Sequence, residues 1–421
     1  MNRRDFLRAA ALASAAGISV SRYGWSQEMD YDGPLLLTVM APGGWDPTLL
    51  CDPKGSLGPS DREPMNRTYS ADDIRSPSQS SPITWAPLGS NDDFFGRHYD
   101  KLLIFNGVDV QTNNHELGAQ FVSCGSIIDR MPSISALLAA TRGQELALSY
   151  QVYGSYDVTG GLIPRTRIGR AASLANVIYP NRNQFDQPLI HPTDLDSVIA
   201  FSRRRAAAEL ESQRLPRLQR NLDAFIKTRT AQGSLESLSE FLPDLNQFQT
   251  NVAQQGALVL ASYQAGLTAA ATISIRANFD SHDNNDNNQT TSLGVLTRGI
   301  TELWQEIERV GLEDRVVFFI VSDLGRTPNY NPGEGKDHWP ITSMMMMGAG
   351  IEGNRVIGAS SHRQNRLSVS PDTFTAVEDP EDGVILTPGH VHIALRELLG
   401  IADHPFCQLH EIDLPILPFF S

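Results

Sequence analysis

Four polar stretches of this sequence follow apolar runs, and they contain the side chains that most often bind metal ions. The stretches are Gly43-Gly44-Trp45-Asp46, 107–115, Asn278-Phe279-Asp280-Ser281-His282-Asp283 and Ser322-Asp323-Leu324-Gly325-Arg326. Several carboxylates at one place are costly without a cation, because like charges raise each other's pKa and buried ions lose their hydration. A divalent ion removes that cost, so the pattern predicts a metal site.

The predicted ligands are Asp46, Asp280, His282, Asp323 and His338. Asp280 and His282 lie two residues apart on one turn, and a Gly/Pro/Asn-rich loop after Asp323 returns the chain to His338. Mixed oxygen and nitrogen donors favour zinc or manganese over calcium, with one or two ions bound. For any single Asp at the end of a strand, the alternative is a helix N-cap.

The elements that must position these residues are short apolar strands separated by helices. Strand-like runs appear at 34–40, 101–106, 271–275, 315–321 and 343–347. Leu293, Leu296 and Ile300 begin a helical spacing that ends near Gly311, and a second helical pattern covers 390–399. Alternation of this kind predicts an α/β fold, doubly wound, with a mainly parallel sheet and helices on both faces.

A parallel sheet also predicts where the polar residues meet. The carboxyl ends of parallel strands share one edge, which is where ligands bind in such folds. Asp46, Asp280 and Asp323 each follow a different predicted strand. We therefore expect these carboxylates to approach one another at a single edge of the sheet.

Two segments differ from the rest of the predicted domain, residues 27–421. Residues 55–90 are rich in Ser, Pro and Asp and predict a long surface excursion, with a lid over a site as the alternative. Residues from about 194 to 266 have helical patterns without strands and predict a helical insertion packed on the sheet.

Composition excludes several classes of protein. The 421 residues include 48 acidic and 34 basic side chains, a formal charge of −14, which argues against nucleic acid as the partner. Three cysteines without a CxxC pair exclude a zinc ribbon and a dense disulfide framework. No apolar run reaches the length of a stable membrane span.

The N-terminus resembles a twin-arginine export signal. Arg3-Arg4 and Phe6-Leu7 precede a mildly apolar, Ala-rich segment at 9–20, and small residues before Gln27 suit cleavage after residue 26. The resemblance implies recognition by the twin-arginine translocation machinery and export of the folded protein to the periplasm or the cell exterior. The alternative is a basic amphipathic helix.

Six motifs in order resemble the domain-of-unknown-function family 1501, which is grouped with the alkaline phosphatase-like superfamily of phosphatases and sulfatases. The motifs are 43–46, 51–54, 279–282, 322–328, Asn331 and 335–338. The resemblance implies an alkaline phosphatase-like fold with a two-metal site. Asp46 and Asp323 would then belong to one metal position, and Asp280, His282 and His338 to the other.

The resemblance also implies a nucleophile at a helix N-terminus. Relatives often carry Ser where this chain has Asn114, so Thr112 is the nearest hydroxyl and His115 a candidate acid/base or ligand. Asn114 and Arg326 are candidate contacts for an anionic ester, with a loop-bracing ion pair as the alternative for Arg326. Leu324 stands where the superfamily usually supplies a further histidine ligand.

These observations predict an exported, metal-dependent hydrolase of phosphate or sulfate esters, acting on an anionic small molecule or glycan. The alternative is a non-catalytic periplasmic or surface binding protein that retains the fold and one structural metal. A third possibility is an unrelated α/β protein whose acidic residues are caps and surface groups.

Overall fold

An eight-stranded mixed sheet forms the centre of the computed structural model. The structure describes residues 31–58, 60–154, 156–169, 181, 187–216, 218–219, 222, 226, 232–377 and 380–420. The predicted export signal at 1–26 lies outside the described residues.

The strands are short. They are β1 Leu35–Ala41, β2 Leu103–Asp109, β3 Tyr150–Tyr153, β4 Thr166–Arg167, β5 Ala270–Ser274, β6 Val316–Ser322, β7 Gly325–Arg326, β8 His338–Trp339, β9 Ile341–Gly348, β10 Arg355–Ile357, β11 Ser368–Val369 and β12 Val384–Ile385. The central sheet has the order β10-β2-β9-β6-β1-β5-β3-β4. Four of its eight strands, β1, β2, β3 and β6, are buried along their whole length. The pairs β7–β8 and β11–β12 form separate antiparallel ribbons.

All neighbouring strands of the central sheet are parallel except at β9, which runs antiparallel to β6 and β2. The predicted α/β fold with a mainly parallel sheet is therefore confirmed. The methionine-rich strand β9 is the exception that makes the sheet mainly and not wholly parallel. The chain reaches β9 from β6 through a loop and the β7–β8 ribbon without crossing the sheet, and such a return pairs strands antiparallel.

Helices cover both faces of the sheet. They are α1 Asn91–His98, α2 His115–Cys124, α3 Ile134–Arg142, α4 Pro192–Ser212, α5 Gln232–Phe241, α6 Asn251–Gln264, α7 Asn285–Arg309, α8 Pro388–Leu398 and α9 Pro405–Leu409. None of the described helices is both long and apolar enough to cross a membrane.

Strand β1 shows how the two faces are separated. Leu35, Leu37 and Val39 pack in the core that contains residues of α1, α6 and α7. Leu36 and Met40 pack in the opposite core, with residues of α3 and α8. Successive side chains of a strand point to opposite faces, so an unbroken apolar run is what a doubly covered strand requires.

The predicted surface excursion and the predicted helical insertion differ in their burial. In the described part of 194–266, α4 buries only Ala206, whereas α6 buries most of its length in the core. The excursion at 55–90 buries Met65, Asn66 and Trp85. Asn66 brings this excursion to the carboxyl edge of the sheet, where it contacts Lys336.

Candidate metal centre

The candidate site lies at the carboxyl edge of β5, β6 and their neighbour β1. Asp280 and His282 lie in the loop between β5 and α7, and Asp323 directly follows β6. His338 is in β8, opposite Arg326 of β7. Strand ends and the short ribbon thus bring residues from distant parts of the sequence to one place.

His115 enters the site as the first residue of α2. Asn114 forms the N-cap of this helix, since its side-chain oxygen accepts hydrogen bonds from Glu116 N and Leu117 N. Gly125 ends the helix in the left-handed region with φ 70°. The cap fixes where α2 begins and therefore where the His115 imidazole lies.

Four side chains converge in what we call the His/Asp cluster: His115, Asp280, His282 and His338. Asp280 Oδ1 lies 3.1 Å from His282 Nε2, 3.2 Å from His338 Nε2 and 3.5 Å from His115 Nε2. The ligand atoms of a tetrahedral site with bonds of about 2.0–2.1 Å lie about 3.4 Å apart. The three nitrogens therefore lie around this oxygen at the spacing of a coordination sphere, and the ligand atoms of His115, Asp280 and His338 all lie within 4.8 Å of one another.

Each histidine of the cluster uses Nδ1 for a second partner. His338 Nδ1 lies 2.8 Å from Asn113 O, His282 Nδ1 lies 2.9 Å from Asp337 Oδ1, and His115 Nδ1 lies 2.8 Å from Asp323 Oδ2. Carbonyl and carboxylate oxygens only accept hydrogen bonds, so Nδ1 carries the proton in each case. The Nε2 lone pairs are then free for a metal, which is the usual arrangement of metal-binding histidines.

The Nε2 atoms of His282 and His338 lie so close together that either a proton or a metal ion must lie between them. His282 Nε2 and His338 Nε2 are 3.0 Å apart, and two lone pairs at that distance repel. His115 Nε2 is buried and has no hydrogen-bond partner among the described residues. Unpaired buried polar atoms are rare and costly. These observations fit a divalent ion bound by the His/Asp cluster.

The electrostatics of the cluster favour an ionised carboxylate. Partial burial opposes the charge of Asp280, but the hydrogen bond and the positive charge of Arg326 hold its pKa at about 2. The hydrogen bond to Asp323 raises the pKa of His115 above its usual value, so a proton competes with a metal for this side chain in the metal-free protein.

Arg326 braces the site from within the protein. Its side chain is fully buried, and its guanidinium donates to Gly43 O, Gly44 O, Lys336 O and Asp280 Oδ1. These partners match the ion-pair alternative considered for this residue in the sequence. A substrate contact by Arg326 would require some of these bonds to be replaced.

The structure does not bring Asp46 into the His/Asp cluster. Asp46 is fully buried, caps the turn Pro47–Leu49 through Thr48 N, and pairs with Lys336 Nζ at 2.7 Å. Asp323 lies next to the cluster without joining it, because its Oδ1 accepts from Gly43 N at 2.9 Å and Gly44 N at 2.8 Å. Its other oxygen accepts from His115.

Thr112 lies at the N-terminal side of α2 but is not placed for attack by the described contacts. Its Oγ1 accepts a hydrogen bond from Asn114 N at 3.1 Å, as in a capping turn. The side-chain oxygen of Asn114 is occupied by the helix cap. Neither residue has a described hydrogen bond to a histidine that would act as its base.

Asp323→Asn is expected to lower metal affinity by about 10–100-fold, the usual effect of losing a partner of a ligand histidine. Gly43 N and Gly44 N donate to Oδ1 of residue 323, so the amide side chain would keep its oxygen there. Its nitrogen would then face His115. His115 Nδ1 must then accept a hydrogen bond from this nitrogen. The ring proton of His115 moves to Nε2, where it blocks binding of the metal. Competition with a chromogenic zinc chelator measures the affinity.

Asp109→Asn is a matched control, because Asp109 is a buried carboxylate that ends β2 and bonds to Gln111 N and Arg366 instead of a histidine. This variant should keep the affinity of the parent chain. An Asp323→Asn protein with unchanged affinity would contradict a positioning role for Asp323.

Comparison with known proteins gives a partial family match. Residues 244–376 match the family described as Protein of unknown function (DUF1501). This range includes Asp280, His282, Asp323 and His338 and excludes His115. No curated protein sequence matches the chain significantly.

Solved structures to which the chain is similar include three bacterial proteins. A sulfatase from Pseudoalteromonas sp. has a TM-score of 0.35 at 9% identity, with coverage of 100% of this chain and 74% of that chain. The lipoteichoic acid synthase LtaP from Listeria monocytogenes has a TM-score of 0.35 at 9% identity, covering 95% and 78%. An alkaline phosphatase from an Antarctic bacterium has a TM-score of 0.32 at 9% identity, covering 77% and 95%. Likeness at this level says nothing about the chemistry of the site.

Two residues of the site were not singled out in the sequence. Lys336 is one, because lysine is expected at the surface and no pattern marks this one as buried. Asn113 is the other, since it contributes a backbone carbonyl whose position depends on the turn before α2. The pair Asp337-His338 was a usable signal, because a carboxylate beside a ligand histidine often orients a neighbouring imidazole.

Proposed function

We propose that this protein is an exported metal-dependent hydrolase of phosphate or sulfate esters, with its metal held by His115, Asp280, His282 and His338. The convergence of three Nε2 atoms on Asp280 Oδ1, within 3.5 Å or less, carries the proposal. Zinc or manganese suits this set of nitrogen and oxygen donors. Twin-arginine export to the periplasm or beyond is part of the proposal and is supported by the sequence at 1–26.

A divalent ion at the His/Asp cluster would supply Lewis-acid polarisation of an ester oxygen. Neighbouring residues of this chain hold the ligands in the protonation states that metal binding needs. Asp323, Asp337 and Asn113 O hold the protons of the three histidines on Nδ1. Arg326 holds Asp280 in its ionised form.

Access from solvent supports a site that takes a substrate. The side chains of His282 and Asp280 are 47% and 41% exposed, whereas the Asp323 side chain behind them is 3% exposed. An anionic ester or the sulfated or phosphorylated group of a glycan could approach from that open side. A purely structural metal is more often enclosed by its ligands.

The second candidate is a non-catalytic binding protein that retains one structural metal. The observation that favours it is the N-terminus of α2, where Asn114 replaces a hydroxyl and Thr112 Oγ1 accepts from the backbone. With no activated nucleophile among the described residues at that position, the metal could serve binding alone.

The test combines metal analysis with turnover. The protein is purified after export by its own signal, its metal is counted by mass spectrometry, and hydrolysis of aryl phosphate, aryl phosphodiester and aryl sulfate is followed. The hydrolase hypothesis expects turnover of at least one ester that a chelator abolishes and added zinc or manganese restores. Tightly bound metal without turnover of any of the three esters would favour the binding protein.

A further inference from the structure

A buried lysine lies beside the His/Asp cluster, two residues before His338 in the chain. Lys336 Nζ is 2.7 Å from Asp46 Oδ2 and 3.0 Å from Asn66 Oδ1, and the side chains of Lys336 and Asp46 are both 0% exposed. A buried ammonium is costly unless a carboxylate and further acceptors surround it. Here both are present, so the charge of Lys336 is retained inside the protein.

Asp46 is surrounded by donors, which is the opposite of a metal site. Its Oδ1 accepts from Thr48 N at 3.0 Å and from Thr48 Oγ1 at 2.5 Å. Its Oδ2 accepts from Asn285 Nδ2 at 3.2 Å and from Lys336. An ammonium and an amide N–H₂ have no lone pair to offer an ion. A divalent ion at Asp46 would have to displace them.

The carboxylate of Asp323 is also surrounded by hydrogen-bond donors. Its side-chain oxygens accept hydrogen bonds from Gly43 N, Gly44 N and His115 Nδ1, and a longer one of 3.4 Å from Ser322 Oγ. The family resemblance implies a first metal position at Asp46 and Asp323, but the groups present there do not fit a metal ion.

The backbone of Lys336 is also hydrogen-bonded to the segments that carry the proposed metal ligands. Lys336 N donates to Ser281 O at 3.0 Å, between the ligands Asp280 and His282. Lys336 O accepts from Arg326, which in turn donates to Asp280. The ammonium is therefore a fixed part of the framework that carries the His/Asp cluster.

We infer that the site binds one divalent ion per chain, and that the Lys336 ammonium takes the place of the second ion that the family resemblance implies. This inference rests on the proposed function, because it specifies the metal content of the same site. A covalently attached cation keeps Asp46 neutralised at all metal concentrations. It offers no coordination position to a substrate, so the chain has one Lewis acid.

The first experiment counts ions by native mass spectrometry in excess zinc, using the full exported chain, Asp280→Asn and the charge-neutral double variant Asp46→Asn/Lys336→Met. We expect one ion in the parent, one in the double variant and none in Asp280→Asn. Two ions in the parent and one in the double variant would overturn the inference and leave the metal-dependent function standing. No ion in the parent would overturn both.

The second experiment measures Tm and tests whether Lys336 is the counter-ion of Asp46. Lys336→Met should lower Tm strongly, and Asp46→Asn/Lys336→Met should recover most of the loss, because the double variant leaves no unpaired charge. Lys54→Met is the matched control, since Lys54 pairs with Asp52 at 2.6 Å and remains 14% exposed. A double variant no more stable than Lys336→Met would contradict the pairing.

Discussion

Asp280→Ala is expected to remove the bound metal and to lower metal affinity by more than about 100-fold, beyond the effect of losing a partner of a ligand. Asp280 supplies the oxygen on which the three histidines converge, and it carries the negative charge that offsets part of the charge of the ion. Metal content after dialysis and the zinc affinity from chelator competition measure the change. Ester turnover, if present in the parent, should fall with the metal.

Asp283→Ala is the matched control for that change. Asp283 lies on the same loop, its side chain is exposed, and no described hydrogen bond involves its carboxylate. Exposed substitutions of this kind change stability by about 0.5 kcal/mol or less. The control should keep its metal. An Asp280→Ala protein that retains one tightly bound ion would show that the His/Asp cluster is not the metal site.

Gly118→Ala is expected to destabilise the protein by about 1–3 kcal/mol, the usual cost of overpacking. Gly118 lies in α2, and a Cβ there would be 2.3 Å from Asp323 O. The backbone at the end of β6 cannot move aside cheaply, so α2 must shift. Because His115 begins the same helix, metal affinity should fall together with the free energy of unfolding.

Gly96→Ala in α1 is the matched control, because it is also a glycine inside a helix and a Cβ there meets no atom within 4 Å. Alanine is favoured over glycine in a helix by about 0.5–1 kcal/mol. This variant should therefore be slightly more stable, with unchanged metal affinity. Urea unfolding and zinc competition measure both variants. Equal stability of the two variants would exclude close packing of α2 on Asp323.

The fold could be predicted from the sequence because burial on both faces leaves a simple pattern. The run that became β1 is apolar except for Thr38, and the spacing of Leu293, Leu296 and Ile300 is that of a helix with one buried side, α7. The direction of β9 was not predictable in this way. Its apolar run is the same for either direction, and only the course of the preceding loop and ribbon determines how it pairs.

The site was predicted in part, because strand ends identify an edge of the sheet and not the direction of each side chain. Asp280, His282 and His338 are brought together, and whether they bind metal stays a prediction. Asp46 also lies at this edge, but its carboxylate faces Lys336. Lysine is expected at the surface, so the sequence gives no sign of the buried ion pair between Asp46 and Lys336, which are 290 positions apart.

The position of β1 between β6 and β5 bears on how the chain reaches its folded state. The contact between Ser322 and Ala41 at the end of these strands spans 281 residues. Residues 244–376, which match the known family, include both neighbours of β1 but not β1 itself. That segment alone therefore lacks the strand that joins β5 to β6. Pairings of such long range form slowly. A chain emerging from the ribosome also cannot pair β1 with β6 until more than three quarters of it has been made.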